Sequence, residues 1–264
     1  MTELRHLQLV ILGIIKDIDD VCRRNNIEYY LNSGSTLGAI RHKGFIPWDD
    51  DLDIMMTHDN YSRFLEACRR DLDPGKYYVQ EELVDWPLNY SKIKLLGTSI
   101  EEVEGYAKDD RQRGIFVDVF RVDNTSRHRL LQLWQYTCAK ASLAYQMSIR
   151  TYKSATWKKK LIMALASPLR IGPLRRFINK QAVRYNDKET GYLGSFYEPK
   201  RFHSCIFPKT VFGTPLRVPF EDTMLPVQAD YDTYLRTTFG DYMQLPPEED
   251  RQQKHISKID FGKY

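Results

Sequence analysis

The chain has 264 residues, with 39 Lys and Arg against 35 Asp and Glu and a formal net charge of +4, which suits one large domain or a core carrying an elaboration. At 42% hydrophobic and 28% charged residues, with only 14 Gly and 12 Pro, it is neither disordered nor collagenous nor of low complexity. The apolar runs fall short of a membrane span, Met1-Thr2-Glu3-Leu4-Arg5 lacks the layout of a secretory signal, and Cys22, Cys68, Cys138 and Cys205 lie too far apart for a zinc or disulfide framework. A reducing, cytoplasmic location is expected.

Apolar residues at three- and four-residue intervals predict an amphipathic helix over 3–24, capped by Thr2. Ile27 to Leu31 reads as a short strand. Asn32-Ser33-Gly34-Ser35 reads as a turn into a helix from Thr36 to His42, closed by Gly44 as a left-handed cap. A second strand is expected from Asp51 to Met56, then a helix from Tyr61 to Arg70 capped by Asp59. Tyr77 to Gln80, Ser91 to Leu96 and Ile115 to Phe120 read as further strands.

Between Asp123 and Asp187 there is no acidic residue, yet there are thirteen Lys and Arg, so this stretch is +13 and the remainder −9. Its pattern is helical over Leu130–Ile149, Trp157–Ala166 and Leu174–Tyr185, broken at Pro168 and Gly172-Pro173. A β-rich region with turns at Pro208, Gly213-Thr214-Pro215 and Pro226 follows, then a helix from Tyr231 to Thr238 that stops at Gly240. The order of elements indicates an α/β (α+β) fold. We divide it into a core over 1–123, a basic helical insertion over 124–186, and a β/α part over 187–264 that completes the core.

Asp49-Asp50-Asp51-Leu52-Asp53 places four carboxylates in five positions, and like charges this close need water or a cation. The flanking Phe45-Ile46-Pro47-Trp48 and Ile54-Met55-Met56 are apolar, which argues against a solvated loop. On a strand Asp51 and Asp53 share a face while Leu52 and Ile54 face the core. Two hard oxygen ligands on one face suit Mg²⁺ or Mn²⁺ bound beside phosphate; the competing reading is a capping or solvated acidic turn. Asp118, a lone acid within an apolar strand, is the third candidate, since its burial calls for a partner. Gly34 and Ser35 precede a helix N-terminus, where anions are favoured, against the plainer reading of a turn. Arg41, His42 and Lys43 end the same helix and suit either phosphate or the helix dipole.

Strand, Gly-Ser, helix, Asp-x-Asp and a later Asp resemble the nucleotidyltransferase fold. More narrowly, the run Tyr30-Leu31-Asn32-Ser33-Gly34-Ser35-Thr36-Leu37-Gly38-Ala39-Ile40-Arg41-His42-Lys43-Gly44-Phe45-Ile46-Pro47-Trp48-Asp49-Asp50-Asp51-Leu52-Asp53 resembles the signature of the LicD family, which is similar to fukutin and fukutin-related protein. Gly114 to Asp123 is similar to that family's third-carboxylate strand. Tyr234-Leu235, Phe239-Gly240-Asp241-Tyr242-Met243 and Leu245-Pro246-Pro247 resemble its C-terminal block, with Phe239 where Tyr is expected. The basic segment carries no such likeness.

The resemblance implies a nucleotidyltransferase-like mixed sheet flanked by helices. It also implies transfer of a phospho-alcohol from a CDP-activated donor to a hydroxyl of a glycan or lipid-linked glycan acceptor. Asp51, Asp53 and Asp118 would hold the metal and carry the catalysis. Gly34 and Ser35 would meet the diphosphate, Arg41 or Lys43 would add positive charge, and Trp48 would stack on the base or cage a quaternary ammonium. Asp118, Asp50, His42 and His255 are the candidates for general base, while His203 reads as structural. Two rivals stand beside this: transfer of a nucleotide from an NTP, and a non-catalytic module that binds anionic lipid. Nucleic acid is not expected as a partner. The basic clusters of 153–180, paired with apolar faces, fit either a solvated surface or peripheral contact with the anionic inner membrane face.

Overall fold

The computed structural model describes residues 1–102, 107, 109–149, 157–252 and 256–264. Helix α1 (Glu3–Arg24) begins where the Thr2 hydroxyl accepts the N–H of Arg5, as its sequence requires. Leu7, Ile11, Ile14, Ile15 and Ile18 form its buried face. The next elements are β1 (Tyr30–Leu31), α2 (Ser33–His42), β2 (Asp53–Thr57), α3 (His58–Asp71), β3 (Tyr77–Gln80), β4 (Ser91–Leu95), β5 (Ser99–Glu102) and β6 (Ile115–Thr125). Helices α4 (Arg129–Ile149), α5 (Trp157–Leu165) and α6 (Gly172–Ala182) follow. The chain ends with β7 (Tyr192–Gly194), β8 (Ile206–Pro208), α7 (Lys209–Phe212), β9 (Leu216–Phe220), β10 (Thr223–Val227), α8 (Tyr231–Phe239) and β11 (Ile256–Asp260).

Seven strands make one mixed sheet in the order β1-β2-β6-β4-β3, with β7 on the far end of β6 and β8 beside β7. β2 and β6 run parallel; β1 on β2 and β4 on β6 are antiparallel. The sheet is covered on both faces near β2. Ile54 and Met56 pack into a cluster with α1 and α3, while Met55 packs oppositely with Tyr30, Phe207, Phe212 and Tyr234. That explains why β2 is apolar at consecutive positions rather than alternating. The expected α+β architecture, a mixed sheet flanked by helices, is present.

Several local expectations need correction: β1 is only Tyr30–Leu31, and α6 ends at Ala182 rather than Tyr185. α2 starts at Ser33 rather than Thr36, so the Gly-Ser segment is its first turn and Asn32 its N-cap. The left-handed residue closing α2 is Lys43 (φ 57°), not Gly44; Gly44 leaves room for the Glu221 side chain, whose Oε1 would lie 2.4 Å from a Cβ there. Thr57, not Asp59, is the N-cap of α3, and Asp59 sits in the first turn, where its charge suits the dipole. β2 begins at Asp53, two residues later than expected, so Asp51 lies in the preceding loop. The pairing of β5 with β11 and the short α7 were not anticipated. β5 carries one apolar residue in four, and its partner lies at the far end of the chain.

The basic helices pack α4 against α6 and attach to the body through Cys138, Ala139, Ala182, Phe196, Tyr197 and Cys205. Pro173 sits in the first turn of α6, where its missing N–H costs nothing. All four cysteines are buried and free. Among the described residues no helix is long and apolar enough to cross a membrane.

Candidate active site

Parallel pairing of β2 with β6 sets Asp53 opposite Asp118, and antiparallel pairing of β4 with β6 sets Lys92 opposite the same residue. Residues directly opposite on neighbouring strands share a face, so three strands deliver Asp53, Asp118 and Lys92 in a row. Lys92 Nζ lies 3.0 Å from Asp118 Oδ1, and the lysine is 1% exposed. Its ammonium also sits 3.4 Å from the Phe116 ring centroid and 5.2 Å from that of Trp86. Such contacts offset part of the cost of taking an ammonium out of water.

The acidic loop reaches this row from the side. It is turned by the Asp49 N–H donating to the Ile46 carbonyl (3.0 Å). Buried Gln8 of α1 pins it further, donating through Nε2 to the carbonyls of Ile46 (3.2 Å) and Asp49 (3.0 Å). One carboxylate oxygen each of Asp49, Asp50 and Asp51 lies within 4.8 Å of the others, a group able to hold a cation. Although Asp51 precedes β2, the two-residue alternation persists: Leu52 is fully buried, and its carbonyl accepts the Asp118 N–H at 3.1 Å. Burial pushes the Asp53 carboxyl well above the usual carboxylate range, and the charges of Asp51, Asp118, Glu198 and Asp49 push it further. The fold has thus gathered negative charge that a bound cation would relieve, which is the fit expected of a metal site.

The first turn of α2 is stitched to this centre. The Ser35 hydroxyl accepts the Asp53 N–H (2.8 Å), and the Asn32 N–H donates to the Asp53 carbonyl (2.9 Å). A Cβ on Gly34 would meet Asp49 Oδ2 at 3.1 Å, so the glycine admits the loop. Ser33 holds φ 45°, a conformation unusual outside glycine. Its N–H donates to the Tyr234 hydroxyl (3.1 Å), which in turn donates to Asn32 Oδ1 (2.7 Å). The Ser33 hydroxyl donates to Glu198 (3.0 Å). Of the expected anion-binding residues Gly34 and Ser35, the Ser35 N–H is engaged by the Asn32 carbonyl, and the neighbouring Ser33 N–H goes to Tyr234. Tyr234→Phe is expected to cost about 1–3 kcal/mol of stability, because both buried partners lose their bonds. Urea denaturation checks this; an unchanged midpoint would show the bridge to be dispensable.

Glu198 is a further acid at this centre, itself buried, ion-paired to Lys200 at 3.0 Å and hydrogen-bonded by Ser195. Burial alone would raise its carboxyl, but Lys200 and the hydroxyls of Ser195 and Ser33 hold it below its usual range. Lys92, Glu198 and Lys200 were not singled out in the sequence, and Tyr234 entered only as part of the likeness to the family's C-terminal block. The available sign for Glu198 was close to the one that had singled out Asp118, a lone acid beside apolar residues, here in Phe196-Tyr197-Glu198.

Arg41 and His42 close α2, and Trp48 immediately precedes the acidic loop. Arg41 and Trp48 line a cleft of about 460 Å³ with Leu37, Tyr242, Leu245 and Pro246. Arg41 donates to the carbonyls of Tyr242 (2.8 Å) and Gln244 (3.3 Å) and, through Nε, to His42 Nε2 (2.9 Å). The His42 imidazole is lowered from its ordinary value, first by burial and then by Arg41. With its acceptor nitrogen engaged, His42 is a poor general base. Trp48 has the His42 ring edge-on at 6.0 Å and the Arg251 guanidinium over its face at 5.6 Å. Lys43 is exposed, and its carbonyl accepts the Glu221 N–H (2.8 Å). Asp50 is 1% exposed. His203 is exposed in a short 3-10 turn, Phe202–Ser204, and His255 lies outside the described residues.

The family model described as LicD/FKTN/FKRP, nucleotidyltransferase domain, matches residues 26–146. Over 271 aligned residues, covering 97% of each chain, the sequence is 30% identical to the lipopolysaccharide cholinephosphotransferase LicD of Haemophilus influenzae. A shorter match, 45% identical over 56 residues, covers 21% of this chain and 18% of an uncharacterized protein of Rickettsia typhi. Another, 46% identical over 52 residues, covers 20% of this chain and 20% of one from Rickettsia prowazekii. The model's span takes in the Gly-Ser turn, the acidic loop and Asp118, so the chain belongs to the LicD family and is a transferase of phosphate-containing groups.

Proposed function

We propose that this protein moves phosphocholine, or a related phospho-alcohol, from a CDP-activated donor to a hydroxyl of a cell-surface glycan such as lipopolysaccharide, or of its lipid-linked precursor. The observation that carries this reading is the convergence of Asp53, Asp118 and the acidic loop beside buried Lys92 and the Glu198–Lys200 ion pair. Asp51, Asp53 and Asp118 are the residues that would hold Mg²⁺ or Mn²⁺, with Asp49 adjoining. Bound there, such an ion would neutralise the diphosphate and the charge developing on departing CMP.

The chain's own residues do the rest. Lys92 orients Asp118 from across the strand. Glu198 holds Ser33, and with it the first turn of α2, against the acid row. The cleft by Trp48 and Tyr242 is large enough for one end of the donor. In the reaction the acceptor oxygen forms a new bond to the phosphorus of the phospho-alcohol. The bond from that phosphorus to the bridging diphosphate oxygen breaks, and CMP leaves with the electron pair. A carboxylate of the cluster takes the hydroxyl proton. In this reading residues 1–123 and 187–264 form the catalytic core, and 124–186 is an insertion between them. Support for that division comes from the single sheet joining β2 and β6 to β7 and β8.

Incubation with Mg²⁺, a lipopolysaccharide acceptor and a panel of CDP-choline, CDP-ribitol, CDP-glycerol and NTPs tests the reading. Release of CMP, with the alcohol's label appearing in the glycan, is expected. Pyrophosphate released from an NTP would replace the reading with nucleotidyl transfer, and consumption of no donor would end it.

A further inference from the structure

The basic helices bury small apolar and several polar side chains and expose many of their large apolar ones. α4 turns Gln132, Gln135, Ser142 and Gln146 inward, while Leu130, Leu133 and Trp134 are exposed, Leu130 at 81%. α5 exposes Trp157, Leu161, Ile162 and Leu165, the first at 70% and the last at 73%. Ile171, Leu174 and Phe177, around the start of α6, are exposed as well. Single exposed apolar residues are ordinary, but a concentration of them on consecutive helices is not. Exposed Lys160, Arg170, Arg176 and Lys180 are interleaved with them, in a 63-residue stretch without one acid.

Two features choose the occupant. A second copy would bring its own +13 segment against the first, and like charges at close range repel. Nucleic acid would use the charge but leave the leucines and isoleucines in water. A bilayer with anionic headgroups satisfies both components, since aliphatic side chains and Trp enter the interface while Lys and Arg meet the headgroups. We propose that this face, α5 with the start of α6 and the end of α4, where Ile149 is exposed and Arg175 reaches Tyr145, docks the protein peripherally on an anionic lipid bilayer. The Tyr136 hydroxyl of α4 donates to the carbonyl of Lys200 (3.0 Å), so the docking layer is braced on the segment that carries Glu198. The proposal stands without the reaction proposed above, because its test reads binding alone.

The full chain is sedimented with vesicles of phosphatidylcholine, with or without roughly a third of phosphatidylglycerol. Binding to the anionic vesicles is expected, falling about tenfold between low and near-physiological salt. Leu161→Ser with Leu165→Ser is expected to weaken binding about tenfold at any salt concentration. Lys160→Glu with Arg176→Glu should reduce it to the level on neutral vesicles. These side chains are exposed, so unchanged thermal unfolding serves as the control for folding. On the unaltered chain, anionic vesicles should shift tryptophan emission to the blue, and Trp157→Phe should diminish that shift. Failure to bind anionic vesicles at low salt, or binding unaffected by both pairs of substitutions, would overturn the proposal. So would a dimer in solution that the leucine substitutions dissociate, which would assign the face to a second copy.

Discussion

Asp53→Asn is expected to lower kcat/KM by about a thousandfold or more, while leaving the metal-free protein at least as stable as the parent. The two halves of this result share one cause. Burial, and then the charges of Asp51, Asp118, Glu198 and Asp49, raise the Asp53 carboxyl well above the usual range. A carboxyl whose folded pKa is raised penalises the native state; the penalty is full above that folded value and is relieved as pH falls through it. A neutral amide therefore removes a cost at neutral pH in the absence of a cation. With Mg²⁺ the order reverses. A ligand bound only to the native state at a hundredfold its Kd adds about 2.7 kcal/mol, roughly 5–10 °C in Tm for a chain of this size. The parent gains this and the variant does not. Thermal unfolding in EDTA and in Mg²⁺, beside CMP release, reads both halves. A variant that transfers within threefold of the parent would remove Asp53 from the metal centre.

The second large effect belongs to Lys92. Lys92→Met keeps the volume and the apolar stem but leaves Asp118 without the ammonium at 3.0 Å. Removing one member of a buried pair typically costs 3–5 kcal/mol, about what is expected here in EDTA, because the remaining charge is left in a poor medium. Replacing both members can be nearly neutral, so Lys92→Met with Asp118→Asn should recover most of that stability and none of the activity. If Asp118 also faces a cation, added Mg²⁺ shrinks the loss in the single variant. Urea denaturation of the single and double variants with and without Mg²⁺ separates these contributions. A single variant as stable as the parent in EDTA would show that the pair does not matter to the fold.

Much of the site was legible because it is local. The acidic run, the Gly-Ser turn before it and the lone acid in a strong strand all lie within short windows, where spacing and charge repulsion carry meaning. The lysines were not legible. Ser91-Lys92-Ile93-Lys94-Leu95 alternates like a strand with one face in water, yet both lysines are 1% exposed. The aromatic rings and carboxyl that make burial of Lys92 tolerable come from Trp86, Phe116 and Asp118. Glu198 was hidden for the same reason, since Lys200, Ser195 and Ser33 define its surroundings. The cap of α2 shows the limit at small scale. Glycine at position 44 looked like a conformational requirement, but what it answers is the Glu221 side chain arriving from the hairpin of β9 and β10.

Sequence alone determined that an acidic body carries a +13 helical segment, that α1 and α3 form, and that carboxylates cluster after the Gly-Ser turn. Each follows from periodicity, capping or spacing within one stretch of chain, where the physical constraint is local. Only the tertiary structure decided that Asp53 stands opposite Asp118 and Lys92, that Glu198 and Tyr234 brace the turn, and that α4 hides its glutamines and shows its leucines. Strand register and the choice of buried face are set by the summed packing of distant elements, which no local preference contains.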